Sequence, residues 1–209
     1  TTLLFYCGAG LRPPADELAA EFGRTCGVSV ECDYAGSEVL LSRVKLSRQG
    51  DVFMPGDEHY VDEAKAAGLV ASSKTACYFI PVIVVQEGNP KNIRSLEDLT
   101  RPGIKLGLGD PESCAVGRTT SRIFAKNKIS EETVNRNVVY RSVTVPLLAE
   151  NVKLGALDAA IVWDATAAQF AGNTEVVPIA ARQNVISTVS VGVLHCSADA
   201  ELAGKFVEF

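Results

Sequence analysis

The run Gly-Asp-Pro-Glu-Ser-Cys-Ala-Val at residues 109–116 leads from the apolar stretch 104–108 into a helical pattern carried by Arg122, Ile123 and Phe124. A strand that turns directly into a helix aims unpaired backbone N–H groups, and the positive end of the helix dipole, at the turn. The chemistry this suits is the capture of an anion by neutral donors. The same grammar recurs at 3–10, where Leu-Leu-Phe-Tyr-Cys runs into Gly8, Ala9 and Gly10 ahead of Pro13, Pro14 and the amphipathic spacing Leu18, Ala19, Phe22. It recurs at 28–37, where Ser37 is a good N-cap and its hydroxyl a further donor. A weaker copy lies at 142–146, with Thr144 as the cap and Pro146 in the first turn. One such turn is an ordinary helix start; several in one chain point to a ligand.

Other chemistries find little support. The two histidines, His59 and His195, are far apart, and no Ser-His-Asp or Cys-His set is readable, so catalysis is not expected. Cys7, Cys26, Cys32, Cys77, Cys114 and Cys196 form no C-x-x-C pair and no zinc spacing. They read as small buried hydrophobes, with Cys114 set apart by its place in the 109–116 turn. Cys7 and Cys32 lie on neighbouring strands if the first two strands pair in parallel. A net charge of −5 without a basic stripe argues against nucleic acid. It also means that an anion must be held by local dipoles rather than by bulk potential. Arg118 reads as a solvated helix arginine. No apolar run reaches the ~18 residues of a membrane span, and the chain opens on a strand almost at once, as a trimmed exported protein or a cytosolic one would.

The elements that must position these turns alternate. Strands are expected at 3–8, 28–33 and 51–54, and helices at 15–25, 37–47 and 58–67, a pattern that builds a mostly parallel sheet covered on both faces. A long apolar strand follows at 78–85, then a short helix from Ser95, then a second α/β unit over about 104–180. In that unit Gly155 is placed to end a helix, 159–163 reads as a buried strand, and Asp164 as the cap of the helical run after it. Another β-rich run occupies 187–194. A chain that leaves one lobe on 78–85 and returns on 187–194 builds two lobes with a ligand cleft between them. No internal repeat is visible.

These residues resemble the periplasmic molybdate/tungstate-binding proteins, receptors of an oxyanion ABC importer. The resemblance runs nearly the whole length. It rests on Ser95-Leu96-Glu97-Asp98-Leu99 with Arg101-Pro102-Gly103, on Gly109-Asp110-Pro111-Glu112, on Gly50-Asp51-Val52-Phe53 with Asp57, and on Tyr34-Ala35-Gly36-Ser37. It implies a two-lobed type II periplasmic-binding-protein fold, α/β with mostly parallel sheets and a two-strand hinge. The lobes are expected at 1–79 with 191–209 and at 80–190. It further implies binding of molybdate or tungstate at Gly10, Ser37, Ala115, Val116, Val145 and Trp163. The family's first binding serine falls at Gly10, which keeps only its backbone N–H, and its tyrosine falls at Trp163, whose indole N–H is the donor left. No cofactor is implied, and no metal beyond the one inside the oxyanion. The partner is a membrane permease, the chain a monomer, and the location periplasmic, or extracellular and lipid-anchored. The last helix ends where such proteins continue. Sulfate is the rival ligand. An effector-binding domain of a regulator would need a basic helix-turn-helix, and a ferric site would need paired tyrosines, which Tyr6, Tyr34, Tyr60, Tyr78 and Tyr140 do not offer.

Overall fold

Strand β1 (Thr2–Gly8) is buried on both faces along most of its length, as its unbroken apolar sequence requires of a central strand. The computed structural model describes all 209 residues, and contacts divide the chain into two compact units, Thr1–Tyr78 with Thr188–Phe209 and Phe79–Ser187. In unit 1, β1 is followed by α1 (Arg12–Cys26), β2 (Ser29–Ala35), α2 (Ser37–Ser47), β3 (Val52–Met54), α3 (Glu58–Ala66) and β4 (Val70–Phe79). Helix α1 starts three residues earlier than expected because Pro13 and Pro14 occupy its first turn, where no N–H is needed. It buries Ala15, Ala19 and Phe22 and ends at Gly27 in the left-handed region (φ 66°).

Unit 2 repeats the plan. Its elements are β5 (Pro81–Gln86), β6 (Leu106–Gly109), α4 (Ala115–Lys126), α5 (Glu131–Asn135), β7 (Val138–Ser142), α6 (Val145–Lys153), β8 (Ala159–Trp163), α7 (Asp164–Gln169) and β9 (Thr174–Pro178). The chain then returns as β10 (Ser187–Leu194) and α8 (Ala200–Glu208), which belong to unit 1 apart from the first residue of β10. Phe206 of α8 packs edge-on against Phe5 and Phe22, each at 5.1 Å between ring centres.

The sheets run β2-β1-β3-β10-β4 and β7-β6-β8-β5-β9. Both are mixed. The ladders β1–β2, β1–β3, β6–β7 and β6–β8 are parallel, whereas β10 on β3 and β5 on β8 and β9 are antiparallel. Each unit is therefore a βαβαβ core whose first strand lies between the second and third. An aspartate just before the third strand locks each core. Asp51 donates its N–H to Leu4 O (2.9 Å) and accepts the Leu4 N–H on Oδ2 (2.8 Å); Asp158 does the same with Lys105, both bonds at 2.8 Å.

Several local expectations are corrected. The strand read at 78–85 is two strands, β4 and β5, parted at Ile80 just before Pro81, which brings no N–H. The helix expected from Ser95 is a 3-10 turn, Glu97–Thr100, braced by Asp98 Oδ2, which accepts from the N–H groups of Arg94 and Ser95. Gly155 does follow the end of α6 with φ 75°.

Candidate functional site

In unit 1, the parallel registers place Gly8 beside Ala35 and Cys7 beside Met54, so the carboxyl ends of β1, β2 and β3 lie together. Ligands of open α/β sheets sit outside such ends, where the strand order reverses. The turn after β1 coils into a short 3-10 segment, Ala9–Leu11, in which Gly10 is buried. A Cβ on Gly8 would stand 3.2 Å from Gly56 N, so the turns after β1 and β3 touch backbone to backbone. Ser37 is not the N-cap: Gly36 holds that position and Ser37 opens α2. Its buried hydroxyl instead accepts the Gly56 N–H at 3.0 Å. An oxygen used as acceptor leaves its proton for another partner.

Unit 2 has the corresponding arrangement. Gly109 pairs with Ser142, and Gly107 with Ala160, so the ends of β7, β6 and β8 adjoin. After β6, Asp110 Oδ1 accepts the N–H groups of Glu112 (3.0 Å) and Ser113 (2.9 Å) and the Ser113 hydroxyl (2.8 Å). Burial pushes this carboxyl up. The Ser113 hydroxyl, the two N–H groups and the charge of Arg141 outweigh burial and hold it below its ordinary value. Cys114 is the N-cap of α4 and makes no side-chain cap bond. Its thiol is pushed up to about 11, because burial outweighs the nearby N–H groups of Gly117 and Val116, so the thiol is neutral and does not oppose an anion. Ala115 and Val116 open α4 and are buried.

At the end of β7, Thr144 occupies the N-cap of α6, but its hydroxyl does not cap. Ser142 serves the turn instead, its hydroxyl accepting the Thr144 N–H (3.2 Å) and donating to the Thr144 carbonyl (2.7 Å). Val145 is the first helical residue. Trp163, at the end of β8, is 2 % exposed and stacks on Phe79 with ring centres 4.9 Å apart and planes at 11°. Asp164 is not a cap: it opens α7, donates its N–H to the Ile80 carbonyl (2.8 Å) and accepts the Ile80 N–H (3.2 Å).

The helix starts divide into two kinds. Helices α3, α5 and α8 are capped by the side chains of Asp57, Ser130 and Asp199. Helices α1, α2, α4, α6 and α7 have no side-chain cap, and of these α2, α4 and α6 carry Ser37, Ala115, Val116 and Val145. A capping oxygen would occupy the donors that an anion needs. Within unit 1 the structure gathers Gly10 and Ser37 at adjoining strand ends, and within unit 2 Ala115, Val116, Val145 and Trp163. Sequence reasoning missed Gly56, Ser142 and the bracing carboxylate of Asp110. For Asp110 the signal was present, since Asp followed by Pro and then Ser is turn chemistry. Tyr34 is already engaged, its hydroxyl donating to Asp16 at 2.6 Å under the Arg12 guanidinium. No group of three or more His, Cys, Asp or Glu side chains is placed to hold a metal ion.

The family model for bacterial extracellular solute-binding proteins matches residues 3–209. The chain belongs to this family. As an extracellular solute-binding protein it binds a small solute and is not an enzyme. Among its relatives is the molybdate-binding protein ModA of Mycobacterium tuberculosis, 29% identical over 208 residues, which span 99% of this chain and 77% of that one. In fold, the solute-binding protein is similar to the sulfate-binding protein SubI from M. tuberculosis. The TM-score is 0.85 at 21% identity, over 100% of this chain and 80% of that one. It is also similar to the periplasmic molybdate-binding protein of Azotobacter vinelandii, with a TM-score of 0.79 at 16% identity over 99% and 91% of the two chains. The fold is the α/β, two-lobed periplasmic-binding-protein fold with two mixed five-stranded sheets.

Proposed function

We propose that this solute-binding protein captures a tetrahedral oxyanion, molybdate or tungstate, and delivers it to the membrane permease of an ABC importer. The observation that carries it is the set of helix starts without side-chain caps at Ser37, Ala115 and Val145, each following the end of a parallel strand. A tetrahedral dianion presents only acceptors, so neutral donors satisfy it without a paired cation. Hydrogen bonds to a charged group contribute roughly 1.5–3 kcal/mol each. About five of them, from the N–H groups of Gly10, Ala115, Val116 and Val145 and the hydroxyl of Ser37, total roughly 7.5–15 kcal/mol, against the ~8 kcal/mol of micromolar binding, so all but the lowest values leave a margin for ordering costs. Trp163 completes the set as a wall and indole donor. The relationship to ModA supports molybdate over other oxyanions.

Titration calorimetry with molybdate, tungstate, sulfate, phosphate and chromate tests this. Saturable binding of molybdate and tungstate with little response to phosphate is expected, because a protonated oxyanion needs an acceptor that this donor set lacks. Tighter binding of sulfate than of molybdate would overturn the ligand assignment while keeping the oxyanion class. The single tryptophan gives a second readout, a saturable fluorescence change on adding tungstate.

A further inference from the structure

The turn between β6 and α4 carries a negative charge at the place where the proposed function puts an anion. Asp110 makes five hydrogen bonds there. Its Oδ1 takes the three donors of Glu112 and Ser113, its N–H donates to the Ser142 carbonyl (2.8 Å), and its own carbonyl accepts the Cys114 N–H (2.9 Å). One residue thus ties the end of β6, the end of β7 and the N-cap of α4. The helix also seats directly on it: a Cβ on Gly117 would lie 2.4 Å from the Asp110 carbonyl oxygen, so only glycine permits this approach. Arg141 donates to the Gly109 carbonyl at 3.2 Å and supplies positive charge behind the turn.

We propose that Asp110 is a positioning residue for the oxyanion, acting through the acceptor geometry of Oδ1, with its negative charge an opposing contribution offset by the turn's donors and Arg141. This rests on the function proposed above. It is separable from that function, because an asparagine keeps the acceptor oxygen and removes the charge, whereas an alanine removes both.

The test uses the full chain with tungstate as probe. By calorimetry, Asp110→Ala is expected to bind at least tenfold more weakly than wild type, and Asp110→Asn to bind as tightly or several-fold more tightly. Ser113→Ala, which deletes one of the three donors to Oδ1, is expected to weaken binding two- to fivefold and serves if the Asp110→Ala variant does not fold. Amide exchange at Glu112, Ser113, Ala115 and Val116, read without ligand, should quicken in Asp110→Ala and stay near wild type in Asp110→Asn. Equal weakening in the Asn and Ala variants would overturn the proposal, as would wild-type affinity and exchange in Asp110→Ala. If wild type binds no tungstate, the functional reading fails at that step and the exchange measurement alone decides the positioning role.

Discussion

Units 1 and 2 share one scaffold and brace their donor turns differently. Both are βαβαβ cores with the order second-first-third, and both lock the third strand to the first through an aspartate, Asp51 or Asp158, bonded twice to one backbone residue. Unit 1 holds its donor turn from the neighbouring loop, through the Gly56 N–H on the Ser37 hydroxyl. Unit 2 holds its turn from within, by Asp110 acting on the two residues that follow Pro111. A turn braced by a loop leaves the Ser37 hydroxyl proton uncommitted to the brace, and the proposed function gives that proton to the ligand. A turn braced by its own carboxylate offers backbone donors alone and must manage a charge.

The largest difference should come from glycine. At Gly117 and Gly109 an added Cβ would meet backbone at 2.4 and 2.6 Å, whereas at Gly8 the nearest atom is 3.2 Å away. Gly117→Ala is expected to destabilise by about 3 kcal/mol, the upper range for overpacking, and to abolish tungstate binding. Gly8→Ala should cost about 1 kcal/mol or less. Thermal denaturation of both variants checks this, and a milder effect at Gly117 than at Gly8 would break the comparison.

The shared aspartates should then part company. Asp51 is buried and also accepts the Ser197 hydroxyl (2.6 Å) and the Ala198 N–H (3.2 Å), so it binds the start of the α8 turn as well as β1. The corresponding extra partner of Asp158 is Lys91, 3.8 Å away with its side chain 44% exposed. Asp51→Ala is expected to cost about 2 kcal/mol or more, because it strands several donors, and Asp158→Ala about half as much. Denaturant midpoints distinguish them.

A smaller effect is expected from Ser37→Ala, which removes the one hydroxyl of the proposed donor set. Affinity for tungstate should fall by about 1.5 kcal/mol, roughly tenfold, with the melting temperature shifted only slightly. Unchanged affinity would remove the hydroxyl from the site.

Acid should act on unit 2. Asp98 is held below the ordinary carboxylate range first by the Arg94 N–H and then by Arg101 and Ser95, and Asp110 is lowered by its own turn. A carboxyl with a depressed folded value stabilises fully above its unfolded pKa of about 4 and loses that contribution as pH falls through the lower, folded value. Below about pH 4, amides of 94–98 and 110–116 should therefore lose exchange protection ahead of those in β1 and β2. The reverse order would contradict this.

Much of this was legible in the chain. The apolar strand entering a turn with Gly, Ser or Pro marked the strand-to-helix turns at 8–10, 35–37, 109–115 and 142–145, because burial pattern and helix-start chemistry are local. Helix α2 and strand β10 fall where hydropathy put them. Strand β4 did not show, since Ala71-Ser72-Ser73-Lys74-Thr75 is an exposed, polar edge without alternation. The capping expected of the Ser37 and Thr144 hydroxyls does not occur, because a hydroxyl at a helix start serves whichever donor lies nearest in space, and Gly56, the donor to Ser37, is 19 positions away in sequence. The repeated core was invisible for a related reason. Topology follows from where apolar strands fall, and two stretches can share that spacing with little identity beyond an aspartate.

The position of β10 has a consequence for the order of folding. It lies between β3 and β4, and Val193 pairs with Val52 at the far end of the chain's path through unit 2. Unit 2 is continuous and its strands can find each other as soon as residues 79–187 exist. The sheet of unit 1 instead waits with an open slot until the C-terminal stretch has emerged, and it must close a long loop to fill it. Non-local pairing of this kind is slow. The rate-limiting step of assembly is thus expected at the insertion of β10, with an interior strand gap in unit 1 exposed until then.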